Sequence, residues 1–472
     1  MSLRHLWAFL AIALPVLAAL IAPLPATDLT YHLRAGDEVL TTGRVPAVDT
    51  WTYTIAGEPW LDQQWGAQVI LTAIYRVGSW TGLVLFRAAL VGLIAALIFE
   101  LCRRQGTGVR TAAWLALGSF AVAAPAMALR PQLLAMALFA VTLLLVSDRA
   151  AHPRRLWLIV PIATLWANVH GSFFLAPAVL GLAWIADVAE RSPRRHLALA
   201  IAGVTAAACC VTPFGPGVWV YAAQLGANPA VTSLISEWQP TSLRDISGIL
   251  FYGSSLLVVA YLARRGRPTP WPTLLWLGVF FVIGAYAARG IAWWPFAAVA
   301  ALAPLIGADR DRVKEREPEP PRAMRTANAI VAAAVVVACV ALLPVWRPID
   351  PDIDVPQGVL SQAPPGLTAA LREAAAPGDR VLAPQPWASW FEFAAPDLPV
   401  AVDSRIELFP NDVWSDYLVV TGGGAGWEDV VAAWNPQLIV AADPALTERL
   451  LEAGWTERYA DDDGSLLVRS NR

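Results

Sequence analysis

Eleven runs of apolar residues constrain this chain more than any other feature. They lie near residues 6–23, 81–101, 111–128, 132–147, 155–168, 171–189, 197–212, 248–263, 272–288, 291–306 and 327–345. A bilayer core of roughly 30 Å takes about 20 residues of helix to cross. The longer runs therefore span outright, and two of the short ones are candidates for re-entrant segments. Composition agrees. The 472 residues are 57% hydrophobic and 15% charged, where soluble domains carry about 25% charge. Even a large soluble core cannot bury that much apolar surface, so lipid has to solvate part of it.

Orientation follows from arginine, since Lys314 is the only lysine. With Arg4 and the N-terminus cytoplasmic, one set of connections holds Arg103, Arg104 and Arg110; Arg149, Arg154 and Arg155; Arg191, Arg194 and Arg195; Arg264, Arg265 and Arg267; and the run from Arg310 to Arg325. The opposite turns hold only Arg130 and Arg289. Short cytoplasmic loops carry the excess of positive charge, so hydropathy and charge agree on eleven crossings. The start of the chain also has the look of a signal peptide, but a retained first helix is the expectation. Cys102, Cys209, Cys210 and Cys339 sit in or beside apolar stretches without metal-ligand spacing and read as small buried hydrophobes. No basic stripe with interleaved aromatics lies on a soluble face, which argues against nucleic acid as a partner.

This reading predicts a polytopic α-helical membrane protein with a small C-terminal extracytoplasmic α/β domain. Its parts are a transmembrane core at 1–308 with a first outer loop at 25–80, a cytoplasmic linker at 309–326, a last transmembrane helix at 327–346, and the outer domain at 347–472. In the tail, 380–383, 399–402, 437–441 and 466–468 read as buried strands, and 367–375, 427–434 and 446–453 as helices. Such alternation predicts a mostly parallel sheet covered on its faces. The segment Thr421-Gly-Gly-Gly-Ala-Gly426 lacks the spacing of a phosphate loop and reads as a turn.

The first outer loop is the richest in chemistry. It begins Asp28-Leu-Thr-Tyr-His32-Leu-Arg34-Ala-Gly-Asp37-Glu38, and on a helix Asp28, Tyr31 and His32 share one face. A carboxylate beside an imidazole at the membrane surface suits a general base toward a hydroxyl. It also suits a divalent metal, the one cofactor candidate, with Asp28, Asp37 and Glu38 as ligands. The competing reading is that Thr27 or Asp28 only caps the helix. Downstream, Asp49, Trp51-Thr-Tyr-Thr54 and Gly57-Glu-Pro-Trp60-Leu-Asp62-Gln-Gln-Trp65 mix acids with aromatics, first as an interfacial belt and second as a sugar-facing surface. Arg87, Arg130, His170 and Arg289 fall at outer helix ends or just inside them. A lone arginine there must snorkel or find an anionic partner, and four basic groups opposite an acidic loop fit a phosphate-bearing lipid.

Together these segments resemble the GT-C superfamily of membrane glycosyltransferases, in a bacterial branch ending in a small α/β domain. The resembling stretches are Asp28-x-x-Tyr-His-Leu-Arg-x-Gly36, Gly43-x-Val-Pro-x-x-Asp49-x-Trp-x-Tyr-Thr54, Gly57-x-Pro-Trp60, Arg130-Pro-Gln132, Leu165-Trp-Ala-Asn-Val-His-Gly171, Thr212-Pro-Phe-Gly215, Glu237-Trp-Gln-Pro240, Val402-Asp-Ser-Arg405 and Tyr417. The resemblance implies a sugar donor carried on polyprenyl phosphate and transfer on the outer face of a bacterial plasma membrane. The implied acceptor is an envelope glycan, lipid or protein. It makes Asp28 the base, with His32 and Asp49 as further catalytic candidates and Asp37 and Glu38 as reserve carboxylates. Arg87, Arg130, His170 and Arg289 would neutralise the departing phosphate, with Glu237 and Trp60 also in substrate binding. Gln64 stands where the family pattern has an acid, which puts a two-acid or metal mechanism at that position in doubt. The alternative is a non-catalytic protein of the same fold, acting in lipid or glycan assembly or transport. In the tail, Asp403, Arg405 and Glu407 read as a structural ion-pair cluster.

Overall fold

The computed structural model describes residues 1–227, 232, 235–310 and 322–469. Residues 311–321 of the expected cytoplasmic linker lie outside the described residues. Contacts divide the chain into two compact units. One comprises Met1–Ala22, Val84–Gly226 and Ile235–Leu343; the other comprises Pro23–Leu83, Ala227–Leu234 and Pro344–Arg472. The first loop, grouped on sequence with the helical core, thus belongs by its contacts with the C-terminal residues.

The first unit is helical. Across the described residues seven helices are long and apolar enough to cross a membrane, and three further apolar helices, Pro131–Ser147, Leu197–Ala208 and Trp271–Tyr286, are shorter. The helix Leu3–Ile21 starts where the Ser2 side chain accepts a hydrogen bond from the His5 amide. It packs on Val109–Ala123 and on Arg322–Ala341, while Leu175–Ala189 packs on Leu197–Ala208. Small residues let the helices approach closely: a Cβ on Gly284 would meet the Phe251 ring at 2.5 Å. Phe139 is the hub of an aromatic core, with ring centroids 6.2 Å from Trp166, 5.7 Å from Phe280 and 5.3 Å from Trp293. The helix Arg322–Ala341 has only 6% of its apolar window buried by protein. So much exposed apolar surface requires lipid around it. The chain is a multi-pass membrane protein.

The helix Trp65–Arg104 is broken at Ser79, whose φ of 50° and ψ of −153° are not helical. Its residues through Leu83 belong to the second unit and those from Val84 to the first.

In the second unit, the helix Ala26–Thr42 follows Pro25 without a side-chain cap and ends at Gly43, whose φ of 69° is the left-handed stop that glycine provides. Thr27 and Asp28 therefore lie inside the first turn, and neither is the N-cap. The helix packs on Gln385–Ala394. At Gly36 a Cβ would lie 2.3 Å from the Gln68 carbonyl oxygen, so only glycine fits that approach. The sheet runs in the order Val381–Leu382, Leu438–Ala441, Ser465–Arg469, Trp455–Ala460. Only the first pair is parallel; the other two are antiparallel. The sheet is mixed rather than mostly parallel, because the chain ends in a hairpin whose outer strand, Trp455–Ala460, is largely exposed and polar and gives no buried-strand signal. The expected strand at 399–402 contributes only bridges, from Val400 to Val381 and from Val400 to Thr52. Through the second bridge the first loop joins the sheet: the Tyr53 amide donates to the Val400 carbonyl at 3.1 Å, and the Val400 amide to that of Trp51 at 3.3 Å. The glycine-rich segment is a turn, with Gly423 and Gly426 at φ of 65° and 85°.

Candidate functional site

In the helical unit three of the sequence-predicted residues converge. Arg130 is the N-terminal boundary residue of Pro131–Ser147, Glu237 lies on the short turn Ser236–Trp238, and Arg289 on the turn Ala288–Ala292. The two turns are strapped together by the Ala288 amide donating to the Gln239 carbonyl at 3.0 Å. Arg130 Nη1 reaches Glu237 Oε1 at 2.7 Å, and Arg289 Nη1 lies 4.0 Å from Oε2. Arg289 also sits 5.7 Å over the Trp238 ring. Burial alone would raise the Glu237 carboxyl, but Arg289 and then Arg130 outweigh it and hold the group below its ordinary value. Two guanidinium groups thus flank one carboxylate in a partly exposed setting, and guanidinium groups bind oxyanions through charge-assisted hydrogen bonds.

Arg87 and His170 do other work. Arg87 is buried, and its guanidinium donates to the carbonyls of Ala19 and Ala22. Those oxygens close the first helix, so the Arg87 cation sits at the negative end of a helix dipole. His170 Nδ1 accepts from the Ser172 amide at 3.1 Å and pairs with Ser172 Oγ at 2.7 Å, while Trp166 Nε1 donates to the same hydroxyl at 3.1 Å. This imidazole caps the turn Gly171–Phe174.

In the second unit Asp28 is half-buried in the first turn of Ala26–Thr42, where the helix dipole favours an anion. Tyr31 and His32 are buried on the same helix, their rings 3.9 Å apart. Asp37 is bound by Arg76 at 2.7 Å on the surface. It stands nine residues from Asp28, about 13 Å along the helix axis, so Asp28, Asp37 and Glu38 do not gather around one point. Among the described residues no group of three His, Cys, Asp or Glu side chains is placed to hold a metal ion.

Asp49 and Trp60 are brought together by a residue that sequence reasoning left in the tail. Arg405 is 1% exposed. Its Nη2 lies 2.5 Å from Asp49 Oδ1 and 2.5 Å from Asp403 Oδ2, and its Nε 2.8 Å from the latter. The guanidinium stacks 4.3 Å from the Trp51 ring and 4.5 Å from Trp60. Burial alone would lower the guanidinium, but Asp403, Glu392 and Asp49 together reverse this and keep it charged. Asp49 Oδ2 also accepts from the Thr52 amide at 3.1 Å and its hydroxyl at 2.7 Å. Asp49 is thus held by a buried guanidinium, a backbone amide and a hydroxyl, and Trp60 packs on the same cation. Tyr31 and Ala35 pack against Trp51 and Trp60, so this buried hub seats the helix that carries Asp28. Nearby, Asp62 is buried and accepts from Gln68 Nε2 at 2.7 Å with one oxygen, while Oδ2 has no hydrogen-bond partner among the described residues. Burial pushes its carboxyl up to about 7, against the Gln68 hydrogen bond and the Arg405 charge. Glu392 is fully buried; burial and then Asp403 raise its carboxyl well above the ordinary range.

No family model matches the sequence, and no curated protein sequence does. Solved structures do. The archaeal oligosaccharyltransferase AglB from Archaeoglobus fulgidus, in complex with an inhibitory peptide and a dolichol-phosphate, is similar over 99% of this chain and 74% of its own, with a TM-score of 0.55 and 14% identity. Structures of the Archaeoglobus fulgidus enzyme in the apo form and tethered to an acceptor peptide are similar over the same shares, with TM-scores of 0.52 and 0.51 and 13% identity. The chain shares the fold of this archaeal enzyme. Within that fold the Arg130–Glu237–Arg289 cluster lies in the helical unit and Asp28 in the second unit.

Proposed function

We propose that this chain is a membrane glycosyltransferase that takes a sugar from a polyprenyl-phosphate donor and passes it to a cell-envelope acceptor on the outer face of a bacterial plasma membrane. The observation that carries the reading is the convergence of the Arg130 and Arg289 guanidinium groups beside Glu237. A lipid phosphate is the chemistry such a pair recognises, because charge-assisted hydrogen bonds from a guanidinium fork are the strong kind. The dolichol-phosphate bound to the similar archaeal enzyme supports the same ligand class. The proposed topology has eleven crossings, a cytoplasmic N-terminus and residues 347–472 outside.

In such a transfer the acceptor oxygen bonds to the anomeric carbon as the carbon–oxygen bond to phosphate breaks. The polyprenyl phosphate leaves with the bonding pair, and the acceptor proton passes to a carboxylate. We assign Asp28 as that carboxylate, on its half-buried place in the first turn of Ala26–Thr42, at the start of the first outer loop. The test is Asp28→Asn in proteoliposomes. Asparagine keeps the shape and gives up only a first-turn charge worth up to about 1 kcal/mol, so the variant is expected to fold and to lose at least about 100-fold in turnover. Full turnover in folded protein would remove Asp28 from the mechanism. If wild type itself consumed no polyprenyl-phosphate sugar, the non-catalytic alternative would hold.

A further inference from the structure

The second unit contains a cavity of about 380 Å³ whose lining includes Trp387, Pro364, Asp350, Asp463, Gln357 and Gln362. Its size is within the range of small-molecule sites, roughly 300–1,000 Å³. The lining holds two carboxylates and two side-chain amides and no lysine, arginine or histidine. The guanidinium of Arg347 beside the rim donates to the carbonyls of Gln357 and Gly358, and the charged groups of the lining itself are carboxylates, so a neutral ligand fits better than a phosphate or a uronic acid. Carboxylates and amides accept from hydroxyl groups, while a half-buried indole beside proline offers an apolar wall. Polar acceptors around one aromatic face match a neutral pyranose, which has hydroxyls at its rim and C–H bonds on its faces.

Position ties this cavity to the helix carrying Asp28. Thr27 Oγ1, one residue before Asp28, lies within hydrogen-bond reach of the side-chain amide of Gln362, which lines the cavity, and of the carbonyl of Pro386 at 2.9 Å. Pro386 adjoins Trp387. The Ser404 hydroxyl donates to the Thr27 carbonyl at 2.7 Å, so this corner is braced from a second side.

We infer that the cavity is a subsite for a neutral glycan, which makes the acceptor of the proposed transfer a carbohydrate rather than a peptide. The acceptor role rests on the transferase reading; glycan binding does not, and can be measured without turnover. Full-length protein in lipid nanodiscs is titrated with neutral di- to tetrasaccharides of hexoses, N-acetylhexosamines and pentoses, with uronic-acid and phosphorylated counterparts as controls, by saturation-transfer NMR. The expected result is binding of at least one neutral oligosaccharide and none of the anionic ones. Trp387→Ala is expected to weaken that binding at least about tenfold. The exposed variants Gln357→Ala and Asp463→Asn weaken it less, and their melting temperatures match wild type, which keeps the test valid should Trp387→Ala fail to fold. Binding in a protein without transferase activity would sink the transferase reading and leave the subsite standing. Absence of any neutral-sugar binding, preference for anionic sugars, or binding untouched by all three substitutions would overturn the subsite, whether or not transfer occurs.

Discussion

Among the described residues each unit buries one arginine, and the two meet different groups. Arg87 in the helical unit is 2% exposed and Arg405 in the second unit 1%. Arg87 is met by backbone carbonyls at the end of a helix 65 to 68 residues earlier. Arg405 is met by two carboxylates and two indole faces, and one of those carboxylates, Asp49, lies 356 positions away. A helix end supplies only partial charge, roughly half an electron shared over its last carbonyls. A pair of carboxylates supplies full charges that are themselves costly to leave alone. Removing the first arginine strands dipoles; removing the second strands ions.

That contrast sets the order of expected effects. Arg405→Met leaves Asp49 and Asp403 buried without a counter-charge, a change that costs about 3–5 kcal/mol in such settings. Thermal unfolding followed by tryptophan fluorescence, together with limited proteolysis of residues 344–469, should show a large loss; an unchanged transition would mean that the hub does not anchor the unit. Asp62→Asn acts in the opposite direction. Its folded-state carboxyl is raised to about 7, so the unfolded chain ionises first as pH rises, and stability is lost between about pH 4 and 7. The neutral amide is spared this, and the variant should be more stable at pH 8 than wild type by up to about 4 kcal/mol, with the difference vanishing near pH 4. A pH-independent difference would remove the assignment.

Arg87→Leu should cost less, up to about 2 kcal/mol, the upper range for a cation at a helix C-terminus. A loss as large as that of Arg405→Met would erase the distinction drawn between carbonyl dipoles and carboxylates. The surface pair Arg76–Asp37, with side chains 45% and 59% exposed, sets the floor: Arg76→Ala is expected to move the melting point by the equivalent of under about 1 kcal/mol, and less at high salt.

What was legible from sequence follows the same division. Hydropathy discloses the apolar helices because each apolar run announces itself locally. The helices 427–434 and 446–453 were visible for that reason, the first observed at Trp427–Trp434 and the second at Pro444–Glu452. Gln385–Ala394 was missed: its buried face includes Glu392, which breaks the apolar period, and its start is fixed by the Tyr417 hydroxyl accepting from the Gln385 amide at 2.7 Å, a partner 32 residues on. The convergence of Arg130, Glu237 and Arg289 was legible as chemistry but not as distance. Asp49 and Trp60 were read as catalytic and sugar-facing because nothing local reveals that Arg405 claims both. The Asp403-Ser-Arg405 segment was the available signal, and it pointed to a structural ion-pair cluster with Glu407 without naming Asp49.

The most direct test is the rate at which wild-type proteoliposomes consume a polyprenyl-phosphate sugar, compared with Arg130→Gln and Arg289→Gln. Both variants should remain folded, and each should lose donor binding, with the double variant at least about 100-fold less active than wild type. Consumption at the wild-type rate by the folded double variant would contradict a lipid phosphate held at this cluster.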